Sequence, residues 1–230
     1  VKGGIIAAGV GSRLAQGGVV APKPLVRVAG DTLIGRVIRE MAAAGAASVA
    51  VITTPAFPQV AAYLRREPWP LPVSVTEWAS PHSLASLLAL RPFLDEPFVL
   101  STVDAILAPG ALARFAAAAQ AAAADGALAL TSCIDDEKPL YVELGPDHRV
   151  LSVGRGKSPW ITAGCYAFTP RVFDFEAAAR ARRLSALRQF LAFLAEAGFT
   201  LTGIDVGPAV DVDHPEDLAR AEAFLRSGVF

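Results

Sequence analysis

The residues best suited to chemistry open the chain, in "IIAAGVGSRLAQGGVVAPKPL", Ile5 to Leu25. An apolar run stops at a glycine-bracketed loop carrying Arg13, and Lys23 follows between two prolines. Gly9 and Gly11 flank Val10 and let the backbone approach a polyphosphate with its N–H groups exposed to the anion. Arg13 offers a bidentate fork and Lys23 a point charge. Pro22 and Pro24 each fix φ and so stiffen the second arm. The plainer reading of Gly-x-Gly alone is a surface βα loop with solvated cations. Two other phosphate loops are excluded. A dinucleotide fingerprint needs a third glycine where Leu14 stands, and Asp31 belongs to a turn-like "AGDT", not to a strand end. "GRGKS", Gly154–Ser158, imitates the end of a Walker A loop, but Leu151 stands where a glycine is required and Pro159 where a helix must start.

The longer stretch "AAGVGSRL…PKPLVRVAGDTLIGRVI", Ala7 to Ile38, resembles the signature of the nucleotidyltransferases that activate sugar phosphates and related phosphorylated alcohols. The resemblance implies a GT-A-like α/β fold and a nucleotide site built from Ala7, Ala8, Gly9, Gly11, Ser12, Arg13 and Lys23, in which Arg13 and Lys23 are catalytic. In such a reaction a phosphate oxygen of the acceptor attacks the α-phosphorus of a nucleoside triphosphate and pyrophosphate leaves. Charge repulsion is the main barrier, so cations and a Mg2+ ion held by few carboxylates are expected.

Acids at strand ends are the candidates to hold that ion. "FVLSTVDAIL" puts Asp104 just beyond an apolar strand, at the edge where open parallel sheets bind ligands; a turn or capping aspartate is the alternative. "VDVDHPEDLARAEAFL", Val210 to Leu225, resembles the family's "DVDTPEDL", whose later aspartate completes the metal site, which assigns Asp213 as the second ligand. Read locally, Asp213 is an N-cap three residues before Glu216, with Pro215 in the first turn. Asp211 points the same way if the segment is extended and is held in reserve. "SPHSLASLLALRPFL" resembles the family's helix that approaches the base, with Ser83 as the contact. "WITAGCYAFTP" resembles the strand that passes the acceptor, with Gly164 leaving room for it. Lys157, in "RGKSP", stands near the family's acceptor-phosphate lysine, with Arg155 as a rival. CTP or UTP is the favoured donor, and a sugar-1-phosphate or an inositol or alcohol phosphate the acceptor. A molybdopterin guanylyltransferase-like enzyme and a nucleotide-binding module without chemistry are the alternatives.

These side chains must be held by a scaffold, and the apolar pattern supplies one. Strands are expected at Gly3–Ala8, Ser48–Thr53, near Pro72–Glu77 and at Pro97–Thr102. They alternate with helices at Thr32–Ala44, Pro55–Arg66, His82–Leu90 and Pro109–Ala124. This βαβα rhythm argues for a mostly parallel sheet with helices on both faces. The second half breaks it: Ala127–Ser132, Leu140–Leu144, Arg149–Val153 and Ile161–Phe168 are strand-like with turns between them, "GPDHR" among these. They read as an antiparallel insertion that could cover a second substrate. Helices return at Ser185–Ala197 and Pro215–Arg226, around a strand at Thr200–Val206. The expected fold class is three-layer α/β/α with a mixed, mostly parallel central sheet. The expectation is one domain over 1–230, with a nucleotide half at 1–125 and an acceptor half at 126–230.

With 53% apolar residues among 230 the chain has material for one sizeable core. A net charge of −1 leaves no general field for nucleic acid or an anionic membrane. Val1–Ala8 is too short for a signal or a membrane span. Cys133 and Cys165, both in apolar runs, read as buried thiols and suit a reducing cytoplasm.

Overall fold

A computed structural model describes residues 1–133 and 138–227. The chain enters through β1 (Lys2–Ala7), a short helix α1 (Ser12–Gln16) and a 3-10 turn (Lys23–Leu25). The two-residue strands β2 (Arg27–Val28) and β3 (Asp31–Thr32) lead into α2 (Leu33–Ala43). Then follow β4 (Val49–Thr53), α3 (Pro58–Arg66), β5 (Val73–Glu77), α4 (Ser83–Ala89), β6 (Phe98–Thr102), β7 (Ala105–Leu107) and α5 (Ala111–Ala121). The second half comprises β8 (Gly126–Thr131), β9 (Val142–Leu144), β10 (Val150–Val153), β11 (Ile161–Phe168), α6 (Glu176–Ala181) and α7 (Leu187–Glu196). It closes with β12 (Leu201–Asp205), β13 (Ala209–Asp211) and α8 (Pro215–Ser227).

Seven strands make one sheet in the order β12-β8-β11-β6-β1-β4-β5. All neighbours pair in parallel except β11, which runs against both β6 and β8. Strands β4 and β8 are buried at every position, as strands covered on both faces must be, and so they read as unbroken apolar runs. One face buries Ile5, Val51 and Val99 against α2, α5 and α8 through Ile38, Phe115 and Phe224. The other buries Ile52, Leu100 and Leu128 against α4 and α7 through Leu87, Phe190 and Leu194. This is the expected three-layer α/β/α class with a mixed, mostly parallel sheet. Helix α2 forms because Leu33, Ile34, Val37, Ile38 and Met41 recur at helical spacing and are all buried. Its first turn is closed by Thr32, whose hydroxyl accepts the Gly35 N–H at 3.0 Å.

Three expectations are corrected. The second half is a continuation of the sheet rather than an insertion: β8 joins it through the antiparallel β11 and β12 pairs in parallel with β8, while β9 and β10 form a separate hairpin. That hairpin turns at Gly145–Arg149, with His148 N–H on the Gly145 carbonyl. Helix α3 starts at Pro58, not Pro55, because Thr54–Phe57 close a turn of their own through Phe57 N–H to the Thr54 carbonyl. Of the two free thiols Cys165 is buried, whereas Cys133 is only half-buried. Among the described residues no helix is long and apolar enough to cross a membrane.

One half-buried acid stands on α2. Glu40 of α2 lines a small cavity with Arg36, Leu107, Leu112, Ser101 and Cys165. Burial pushes its carboxyl up to about 7, against the opposing pull of the Arg36 guanidinium. Its ordinary value is 4.5, so between that and about 7 the folded chain keeps a proton that the unfolded chain has released. Stability attributable to this group therefore falls as pH rises through that window. Glu40→Gln is expected to stabilise the protein by about 2 kcal/mol at pH 8 and negligibly at pH 4. Urea denaturation at the two pH values tests this, and an equal effect at both would contradict the assignment.

Candidate active site

The site lies at the carboxyl edge of the parallel strands, the edge at which open α/β sheets bind ligands. Past Ala7 at the end of β1, the chain turns through Gly9 and Gly11 into α1, which Leu14 anchors in the core. Gly11 has φ 61°, and a Cβ there would come within 2.8 Å of the Lys23 Cβ. Glycine is therefore what lets the first arm of the loop lie against the second. Lys23 heads the 3-10 turn, with Leu25 N–H on the Pro22 carbonyl at 2.8 Å, and the turn aims its side chain inward. Only 9% of that side chain is exposed.

From the far side of the cleft come two carboxylates. Asp104 follows β6, held by the buried Val103, and Asp213 precedes α8, held by the buried Val212. A ribbon ties the two segments together: β7 pairs antiparallel with β13, and Val212 N–H donates to the Asp104 carbonyl at 3.1 Å. Lys23 Nζ stands between the carboxylates, 2.7 Å from Asp104 Oδ2 and 2.6 Å from Asp213 Oδ1. Arg13 reaches the remaining Asp213 oxygen, Oδ2, at 2.8 Å. Burial by itself pulls the Lys23 ammonium down, but Asp104 and Asp213 outweigh it and the net shift is upward. Likewise burial raises the Asp104 carboxyl, while the Lys23 charge and the Lys23 and Thr102 hydrogen bonds leave it below its ordinary value. Lys23 is thus held as an ammonium and Asp104 as a carboxylate at neutral pH, and Arg13 and Lys23 face Asp104 and Asp213 across the cleft.

The local reading of Asp213 as an N-cap is corrected. Asp217, 4% exposed, reaches back to accept the N–H groups of His214 at 2.6 Å and Asp213 at 2.9 Å. It caps α8 from the third helical position, which frees the Asp213 carboxylate for the cleft. Asp217 is a positioning residue that sequence reasoning missed. The signal was present as an acidic residue two after Pro215, the reciprocal half of a capping box set one residue later than expected.

The other predicted residues are distributed more widely. Gly164 does not simply leave room for a ligand. It has φ 72°, and a Cβ there would strike Ala105 Cβ at 2.5 Å and Thr102 Oγ1 at 2.8 Å. The space belongs to the chain's own turn at Asp104, which β11 could not otherwise approach. Ser83 begins α4, and its Oγ accepts the Leu187 N–H at 2.8 Å, joining α4 to α7. The neighbouring His82 caps α4 through Nδ1 on Ala85 N–H. Lys157 is exposed in the loop before β11. Its rival Arg155 pairs with Glu196 on α7.

The family described as the MobA-like NTP transferase domain matches residues 3–186. The chain belongs to that family. The match to the MobA-like NTP transferases ends ahead of Asp213, so the glycine loop, Lys23 and Asp104 lie inside it. Over 237 residues this NTP transferase chain is 31% identical to the bifunctional IPC transferase and DIPP synthase of Rubrobacter xylanophilus, covering 98% of this chain and 52% of that protein. It spans about half the length of the curated relative it matches. Among solved structures, the inositol-1-phosphate CTP transferase from T. maritima superposes with a TM-score of 0.80 at 19% identity, over 100% of this chain and 97% of that one. The UDP-glucose pyrophosphorylase from Acinetobacter baumanii gives 0.80 at 16% identity, over 96% and 91%. At these identities the likeness is one of fold.

Proposed function

We propose that this domain transfers a nucleoside monophosphate from a nucleoside triphosphate to a small phosphorylated acceptor and releases pyrophosphate. The observation that carries the reading is the meeting of Arg13 and Lys23, from the glycine loop, with Asp104 and Asp213 from the opposite wall of the cleft. CTP is the favoured donor and a polyol phosphate of the inositol phosphate kind the favoured acceptor. Support comes from the 31% identity to an IPC transferase and from the fold of an inositol-1-phosphate CTP transferase. Residues 1–230 are read as one domain, nucleotide-binding over 1–125 and acceptor-binding over 126–230. The free Cys133 and Cys165 thiols support a reducing cytoplasm as its compartment.

In this reading Arg13 and Lys23 neutralise the triphosphate, and the loop through Ala8, Gly9, Gly11 and Ser12 lets its backbone N–H groups approach the phosphates. The acceptor phosphate is already anionic and attacks in line, so no protein nucleophile or general base is needed. Positioning and electrostatics carry the rate. Magnesium fits the donor set: Asp104 and Asp213 are hard oxygen ligands that already converge on a single cation, the Lys23 ammonium. Bound there, magnesium would offset the charge of the triphosphate and of the departing pyrophosphate. Asp104 and Asp213 would hold it, and Arg13 would keep Asp213 oriented.

The test is a screen of the common nucleoside triphosphates against inositol 1-phosphate, sugar 1-phosphates and alcohol phosphates, read by pyrophosphate. Turnover is expected to be highest with CTP and inositol 1-phosphate. Nucleotide binding without pyrophosphate from any pair would make the chain a binding module instead.

A further inference from the structure

Beyond the carboxylate pair a shallow recess opens at the start of β11. Its wall includes Thr131, Cys133, Thr162, Gly164, Ala105 and Asp211. The ladder between β8 and β11 breaks between Thr162 and Tyr166, and the pocket forms at that break. Among the described residues its wall includes one carboxylate and neither lysine nor arginine.

We propose that Asp211 selects the acceptor, by accepting hydrogen bonds from the hydroxyl groups of a polyhydroxylated phosphate ester whose phosphate faces Asp104 and Lys23. The proposal rests on the nucleotidyl-transfer reading and adds to it the residue that reads the acceptor. Three observations carry it. Val210 and Val212 are 5% and 0% exposed and turn to the core, so Asp211 and Asp213 share the opposite, cleft-facing side. Two residues of extended chain separate them by about 7 Å. Asp211 therefore stands one phosphate-to-hydroxyl span along from the carboxylate that meets Lys23 and Arg13. Asp211 is also directly opposite Ala105 in the β7–β13 ribbon. Opposed residues of an antiparallel pair share a face, and Ala105 is the residue against which Gly164 packs. Finally, the charge sign fixes the polarity of the ligand. The described part of the wall, with a carboxylate and neither lysine nor arginine, disfavours phosphate, while an ionised carboxylate is an acceptor-only group suited to two hydroxyl donors. The phosphate end is left to the side of the cleft at Asp104 and Lys23, and the hydroxyl end to Asp211, Thr131 and Thr162.

Asp211→Asn with CTP, compared on inositol 1-phosphate and butyl phosphate, tests this. The KM for inositol 1-phosphate is expected to rise about tenfold, with the KM for CTP unchanged and butyl phosphate little affected. An unchanged KM, or an equal loss on both acceptors, overturns the proposal. A manganese titration followed by electron paramagnetic resonance must give equal affinity for wild type and variant; weaker manganese binding by the variant would make Asp211 a metal ligand and overturn the proposal as well. If the wild type releases no pyrophosphate with any pair, the transfer reading fails on its own. Saturation-transfer NMR with inositol 1-phosphate then still decides the pocket. Ring-proton signals seen with wild type and lost in the variant support the role of Asp211. Signals equal in both, or absent in both, overturn it.

Discussion

Asp104→Asn is expected to slow pyrophosphate release by about 10³-fold while leaving nucleotide binding nearly unchanged. The substitution keeps the shape of the side chain and its place after β6, and removes one negative charge and one hard ligand from the cleft. Arg13 and Lys23, the groups proposed to meet the triphosphate, are untouched, and Asp213 still pairs with both. The damage therefore falls on the step in which charge moves onto the leaving pyrophosphate. Single-turnover rates together with nucleotide binding by calorimetry separate the two effects. A variant with more than a tenth of wild-type turnover would remove Asp104 from the metal site.

Lys23→Met is expected to act in two opposite directions. Nucleotide binding weakens by about tenfold or more, since a desolvated charge partner of the triphosphate is lost. Divalent cation binding by the nucleotide-free protein becomes stronger, because the ammonium that bridges Asp104 and Asp213 no longer occupies the point on which they converge. The same loss leaves two part-buried carboxylates facing one another and costs about 3 kcal/mol of stability. Added magnesium or manganese is expected to restore most of that stability in the variant and little in the wild type. Chemical denaturation with and without the cation measures it, and an equal response of both proteins would refute the bridging role of Lys23.

Much of this was readable from residue order, and the failures have local causes. The apolar runs behind β1, β4, β6 and β8 are long and uninterrupted because both faces of the sheet are covered, so they mark strands without ambiguity. The glycine loop with Arg13 and the proline-flanked Lys23 is a contiguous motif. What could not be read is what depends on distant pairing. Strands β7 and β13 are three residues each, too short to carry a periodicity, and each exists because the other does. The role of Gly164 depends on Ala105 and Thr102, which approach it only after β11 pairs with β6. At the start of α8 the sequence offered two acids in register for capping, and Asp217 took the task once the Asp213 carboxylate found Lys23 and Arg13. Ser83, a hydroxyl at a helix start that motif order points toward the nucleotide, also accepts the Leu187 N–H and so joins α4 to α7, a contact between residues 104 positions apart.

The ion pairs at Lys23 join residues 81 and 190 positions apart. Chains emerge from the ribosome amino-terminus first and fold progressively as they do so. A nascent chain would therefore display the glycine loop, both of its cations and even Asp104 long before Asp213 exists. Only the docking of the segment ahead of α8 brings in the second carboxylate. Until that segment docks, Lys23 has one of its two carboxylate partners in place.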